Sequence, residues 1–312
     1  MKNEKRKMKN EAESEKFAII VYFSYLCTLN YRTKRTLLHP QKEMTKIIFL
    51  DIDGTLLSFR THRVPASTIE AIHQARQQGV KVWIATGRPL PFVNNLDGLE
   101  YDGIMCVNGA RCQIQSPQQN PEDVTVIHSQ PIPRADIERM VAEQHRSGLP
   151  IVYAGNEGAI LAAPGGIPSI VNEVFSYLDI KMPPLVQPEE ALNFTVMQII
   201  GFYTEAEQEH IMGDILKGCS DTRWHPVFAD CIAKGTSKAT GIDRVIRHYG
   251  FDLSETMAFG DGGNDIEMLR HAGVGVAMGN ASDEVKAAAD IVTTSVDDNG
   301  VANVINKLVL QK

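Results

Sequence analysis

From Lys46 onward, short apolar runs rich in β-branched residues alternate with segments of helical periodicity. That alternation is the signature of βαβ units, in which helices cover both faces of a parallel sheet. The run KIIFL (46–50) offers no alternating polar positions for a wet face, so it predicts a strand buried on both sides. Ser67 to Gln78 follows as a helix, with Ser67 and Glu70 spaced as an S-x-x-E capping box and Gly79 as the C-terminal stop. VKVWIA (80–85) and GIMCV (103–107) are the next strands, the second running into the turn pair Asn108-Gly109.

Between about 121 and 223 prolines at 131, 133, 150, 164, 168, 183, 184 and 188 break the pattern around one clear helix, Arg134 to His145. The parallel pattern then resumes: a helix from Ser237 to Tyr249, a strand at 256–260, a helix near Asn264 to His271, a strand at 274–278, a helix from Ser282 and a strand at 291–294. The expected fold class is α/β, a Rossmann-like parallel-sheet core with an inserted α+β cap. The boundaries read as a core at 44–124, a cap at 125–223 and a returning core at 224–312.

Residues 1–43 read as an appended segment. They hold ten Lys/Arg against five Glu, so the remainder is more acidic than the net −7 of the whole chain. The apolar stretch 17–29 is shorter than the ~20 residues that span a bilayer, and no small-residue cleavage site follows it. A translation start at Met44 is the favoured reading, with an interfacial anchor as the other. The acidic balance argues against a nucleic-acid surface, which needs basic residues to neutralise phosphates. Five scattered cysteines without a C-x-x-C pair signal neither a disulfide framework nor a zinc site, and a reducing cytoplasm fits them.

Four short signatures fall where strands end, which in open α/β sheets is where ligands bind. DIDGT (51–55) follows the first strand and brings two carboxylates, Asp51 and Asp53, to one crevice; elsewhere a bare D-x-D-G is as often an acidic turn. Thr86-Gly87-Arg88 follows the second strand and offers a hydroxyl and a backbone N–H as donors for an oxyanion, although a Thr-Gly pair is also an ordinary turn. Lys238 sits in the first turn of a helix, against the helix dipole, and so is expected to face an anion. GDGGND (260–265) opens a helix and supplies oxygen ligands of the kind a hard cation prefers. Asp51, Asp53 and Asp261 are expected to be ionised by their reference pKa near ~3.9. Together with a phosphomonoester they would repel one another, and Mg²⁺ between Asp51 and Asp261, with Lys238 alongside, would remove that repulsion.

DIDGT, ATGR, GTSK and GDGGND, in this order, resemble the four motifs of the haloacid dehalogenase superfamily, and the insertion resembles the cap of its Cof-type branch. Asn108-Gly109-Ala110 and AGVGVAMGNA (272–281) extend the likeness over about 45–312, whereas FADCIA (228–233) is less typical of the strand before the third motif. The resemblance implies a Mg²⁺-dependent phosphatase of small phosphorylated metabolites, with Asp51 as nucleophile and Asp53 as general acid and base. It further implies that Mg²⁺ lies on Asp51, the Asp53 carbonyl and Asp261, and that the Ile52 amide, Thr86, Gly87, Lys238 and Asn264 hold the phosphoryl oxygens. Asp265 is expected to orient Lys238 or a metal-bound water. Asn108 and Arg88 are either further contacts or, respectively, a turn former and a surface ion pair. The rival readings are a phosphomannomutase-like phosphomutase, which would need basic cap residues, for which Arg134, Arg139, Arg146, Lys181 and Lys217 are on offer, and a non-catalytic sensor on the same fold. A membrane pump is excluded by the lack of an apolar segment of ~20 residues.

Overall fold

A computed structural model describes residues 44–96, 98–115, 124–177 and 180–312. The appended segment at 1–43, with its apolar stretch and Cys27, lies outside the described residues. Residues Thr45–Lys312 form one compact unit. Its first part lays down β1 (Ile47–Leu50), α1 (Ala66–Gln77), β2 (Lys81–Ala85), β3 (Gly103–Cys106), β4 (Arg111–Ile114) and β5 (Thr125–Ser129). An insertion follows with α2 (Arg134–Ser147), β6 (Ile151–Ala154), β7 (Ala159–Ala162), α3 (Ser169–Tyr177), β8 (Leu185–Val186), β9 (Gln198–Gly201), α4 (Glu205–His210), β10 (Cys219–His225) and β11 (Phe228–Ala233). The chain then adds α5 (Lys238–Tyr249), β12 (Thr256–Gly260), α6 (Ile266–His271), β13 (Val274–Ala277), α7 (Asp283–Ala288), β14 (Ile291–Val292) and α8 (Gly300–Val304).

The first sheet has the order β14-β13-β12-β1-β2-β3-β4-β5, parallel from β14 to β3. Every residue of β1 is buried, and its alternating side chains divide between two apolar layers. Ile48 and Leu50 pack with Ala71, Ile72 and Ala75 of α1, while Ile47 and Phe49 pack with Ile242 and Val245 of α5 and Met268 of α6. A strand at the centre of a sheet covered on both faces has no wet side, which is why KIIFL carries no alternation. The insertion forms a second sheet of order β10-β11-β9-β6-β7-β8, antiparallel apart from the β7/β8 pair. The architecture is therefore a Rossmann-like core with an inserted α+β unit.

Several local expectations are corrected. Ser67 and Glu70 do not form a capping box: the helix starts one residue earlier, behind Pro65, and Ser67 Oγ instead donates to Asn299 Oδ1 at 2.5 Å. Pro at the cap pre-sets the helical entry without a side-chain bond. The core sheet is not wholly parallel, because β4 and β5 add an antiparallel edge beyond β3. The division points at 124/125 and 223/224 also shift. β5 pairs inside the first sheet, whereas β10 and β11 form a hairpin inside the second. The break in pattern near 223 is the hairpin's irregularity between Thr222 and His225, not a crossing between sheets. The crossings are the segments 130–133 and 234–237, joined where Gln130 Nε2 donates to the Lys234 carbonyl at 2.8 Å. FADCIA is a regular strand, β11.

Candidate active site

From β1 the chain proceeds through β2 and β3 to one side of the sheet and later through β12, β13 and β14 to the other. The boundary between β1 and β12 is thus a topological switch point, where the outgoing loops diverge and leave a crevice. Asp51 leaves β1 and Asp261 leaves β12 directly beside that crevice, and the two strands are stitched to their ends by Asp51 N–H donating to the Phe259 carbonyl at 3.1 Å. Thr86 leaves β2 on the other side of Asp51. The turn after β3 joins it, since Asn108 N–H donates to the Thr86 carbonyl at 3.0 Å.

Lys238 reaches the same place from the first turn of α5, whose start is fixed by Ser237 accepting from Thr240 N–H. Its side chain has no exposed surface, and Nζ donates to Asp51 Oδ1 and to Asp265 Oδ1, each at 2.6 Å. Lys238 therefore does face anions, as its unfavourable place against the helix dipole suggested. Asp265 is fully buried, and its other oxygen accepts from the backbone N–H groups of Asp261 at 3.0 Å and Gly262 at 2.9 Å. With both oxygens committed, Asp265 holds the lysine and shapes the 261–265 loop.

The carboxylates of Asp51, Asp261 and Asp265 lie within 4.8 Å of one another. Asp261 is held by Thr55 Oγ1 on Oδ1 at 3.1 Å and by Asn280 Nδ2 on Oδ2 at 3.1 Å, and the same Asn280 amide donates to the Gly54 carbonyl at 2.9 Å. Gly54 permits this closeness: at φ +80° an added Cβ would lie 2.0 Å from Asp261 Oδ2. Three carboxylates face a single ammonium. That crowding works against the ready ionisation expected of Asp51 and Asp261. Burial, with Asp265 next to it, pushes Asp261 up to about 7, and burial raises Asp51 well above the usual carboxylate range despite the opposing pull of Lys238. For Lys238 burial works against the charge, but Asp265 and Asp51 outweigh it and hold the ammonium above its ordinary range.

This charge imbalance fits a hard divalent cation. Asp51 Oδ2 accepts no hydrogen bond from the described residues, and each Asp261 oxygen takes a single donor, so both retain lone pairs for a metal; Asp265 is the most heavily used of the three, with two backbone donors on Oδ2 and the lysine on Oδ1. On the anion-binding side, the Ile52 N–H donates to no described residue, and Thr86 Oγ1 accepts from Arg88 N–H at 3.0 Å, which leaves its own proton to donate. Gly87 lies between two amides: a Cβ there would sit 3.2 Å from both Asn108 Oδ1 and Asn264 Nδ2, which are themselves bonded at 3.1 Å.

Asp53 stands apart from the carboxylate trio. Both its oxygens accept from Arg88, Nε to Oδ2 at 2.8 Å and Nη2 to Oδ1 at 2.6 Å. Arg88 is thus an ion-pair partner, but of a candidate catalytic carboxylate and not of a distant surface group. Three contributors were not singled out from the sequence: Thr55, which lay unassigned inside its motif; Asn280, which acts across 226 residues of chain on Gly54; and Asn94, which accepts from Arg88 Nη1 at 2.6 Å.

The family model for haloacid dehalogenase-like hydrolases matches residues 48–305. The protein YkrA of Bacillus subtilis is 31% identical over 274 residues, covering 86% of this chain and 99% of its own. The pyridoxal phosphate phosphatase YbhA of Escherichia coli is 30% identical over 279 residues, 84% of this chain and 97% of its own. Among solved structures, the subclass IIB sugar phosphatase BT4131 is 42% identical, covers 84% of this chain and 98% of its own, and superposes with a TM-score of 0.72.

Proposed function

We infer, from the premise that this chain belongs to the haloacid dehalogenase-like hydrolases, that it is a phosphatase of small phosphorylated metabolites working through an aspartyl phosphate on Asp51. The observation that carries this reading is the cluster of Asp51, Asp261, Asp265 and Lys238, all buried except the partly exposed Asp261, beside the donors of Ile52 and Thr86.

In the first half-reaction an Asp51 oxygen bonds to phosphorus as the bond from phosphorus to the ester oxygen breaks, and Asp53 gives that departing oxygen the proton it took from water in the preceding turnover. In the second, a water oxygen bonds to phosphorus, Asp53 takes the water's proton, and the phosphorus–oxygen bond to Asp51 breaks, restoring the carboxylate. Lys238, kept charged by its two carboxylates, opposes the charge that gathers on the phosphoryl oxygens. The Ile52 amide, Thr86, Gly87 and Asn264 are proposed to hold those oxygens, with Asn108 steadying Asn264. Mg²⁺ would be held by Asp51, Asp261 and the Asp53 carbonyl, and when bound it would supply neutralising charge that brings an anionic ester next to an anionic nucleophile.

The substrate class we put forward is sugar phosphates and similar phosphomonoesters, in keeping with relatives that act on a sugar phosphate and on pyridoxal phosphate. A phosphomutase would need free cationic groups on the insertion to grip a second phosphate. Of the five candidates Arg134, Arg139, Arg146, Lys181 and Lys217, the three arginines pair with Glu138, Asp136 and Glu143 of their own helix, which leaves two lysines for such a grip and favours hydrolysis. A reducing cytoplasm is the compartment we propose: the four described cysteines are free and buried, and burial pushes the thiols of Cys112 and Cys231 up to about 12. No helix among the described residues is long and apolar enough to cross a membrane. Purified protein with Mg²⁺ is expected to release inorganic phosphate from members of a sugar-phosphate and pyridoxal-phosphate panel without a bisphosphate activator. Silence across the whole panel would refute the reading.

A further inference from the structure

The candidate acid–base carboxylate is held from outside the carboxylate trio, and the holder leads into the insertion. Asp53 is 40% exposed at its side chain, so nothing about burial alone fixes its orientation. Arg88 does so with one bond to each carboxylate oxygen, a two-point hold that restrains rotation as well as distance. The arginine is itself anchored. Its Nη1 donates to the Phe92 carbonyl at 3.0 Å and to Asn94 Oδ1 at 2.6 Å, while its backbone N–H and carbonyl are tied to Thr86 Oγ1 and to Val107 N–H. Phe92, in the short turn Leu90–Phe92, does not pack into the core layers. It is buried edge-on against Phe175 of α3, with ring centroids 6.2 Å apart and planes at 85°, in a cluster with Val152, Leu161 and Val171 of the insertion.

We propose that Arg88 is the positioning residue of Asp53, and that the Phe92–Phe175 contact ties the placement of that carboxylate to the seating of the insertion on the core. The inference rests on the phosphatase reading and adds to it a route by which the insertion governs proton transfer to the leaving group. Rigid aromatic packing transmits small shifts of α3 to the 90–94 turn, and the turn carries them through Phe92 O and Asn94 to the guanidinium. A substrate large enough to press on the insertion would then act on the proton-transfer step and not only on binding.

Leaving groups of different need test it. A sugar alkoxide leaves only with a proton, whereas 4-nitrophenolate leaves without one, so a misplaced acid harms the first and spares the second in phosphoenzyme formation. Arg88→Ala and the milder Arg88→Lys are expected to lower kcat on a sugar phosphate by roughly 10²-fold or more, with KM nearly unchanged. Single-turnover phosphorylation by 4-nitrophenyl phosphate is expected to fall far less. Phe175→Ala, outside the site, is expected to lower kcat on the same sugar phosphate with the same leaving-group bias but a smaller size. A raised KM with unchanged kcat in the Arg88 variants, or equal losses with both leaving groups, would overturn the positioning role. Wild-type behaviour of Phe175→Ala on both would overturn the link to the insertion. The sugar phosphate used is one that the unaltered enzyme turns over in the panel above, so silence across that panel is a separate result that removes the phosphatase reading itself.

Discussion

Lys238 is the residue on which the electrostatics of the site turn. It is wholly buried between Asp51 and Asp265, and removing one partner of a buried ionic group leaves the others uncompensated at a cost of about 3–5 kcal/mol. Lys238→Ala is therefore expected to lower stability to chemical denaturation by that order and to reduce kcat/KM by roughly 10²-fold or more. A variant with the wild-type midpoint and kcat/KM would remove Lys238 from the site. Asp51, Asp261, Thr86 and Lys238 were legible before any coordinates because each follows a strand or opens a helix, and those positions converge in any open α/β sheet. Asn280 was not legible as a site residue. Its side chain joins Gly54, Asp261 and the Val296 N–H, and no local pattern reveals a bond made across so much chain. Arg88 was legible only as a choice between contact and ion pair, since its partner depended on how two loops meet.

At the scale of elements, Asp102 links three pieces of the core edge. It accepts from Arg76 of α1 at 3.2 Å, from Lys81 at the start of β2 at 3.3 Å and from the Val82 N–H at 2.9 Å. Burial pushes its carboxyl up, but the Arg76 and Val82 bonds and the nearby positive charges outweigh burial and hold it below the ordinary value. A depressed folded-state pKa contributes stability that is present above the unfolded value of about 3.9 and fades as pH falls through the lower folded value. Thermal melts of Asp102→Asn are thus expected to show a deficit against wild type at neutral pH that shrinks below about pH 4. A deficit that stays constant into strong acid would contradict this. The central strands were readable because burial on both faces leaves unbroken apolar runs. The β4 and β5 edge was not, because Thr125–Ser129 is largely solvated and its composition resembles the loop around it. The helix start at Pro65 was missed because an S-x-x-E spacing names a possible cap, while the preceding proline fixes the actual one.

For the molecule as a whole, the division between core and insertion was readable as a change of composition, but its edges were not. A hairpin turn and a domain crossing both break periodicity, and only strand pairing separates them. All the site residues named above, together with both sheets, lie within 45–312, and the family match spans 48–305. A chain running from Met44 to Lys312 is therefore expected to retain wild-type kcat/KM in a phosphate-release assay. A shortened chain with a native circular-dichroism spectrum but no turnover would show that residues 1–43 contribute to activity. The central claim is that one carboxylate of the buried cluster bonds to phosphorus. The most direct measurement is acid quenching of the enzyme during turnover with Mg²⁺ and an active phosphomonoester, followed by peptide mass spectrometry. The account predicts one added phosphoryl group on the peptide containing Asp51, and its loss together with turnover in Asp51→Asn. Steady turnover with Asp51 unmodified, and an Asp51→Asn variant of wild-type rate, would contradict it.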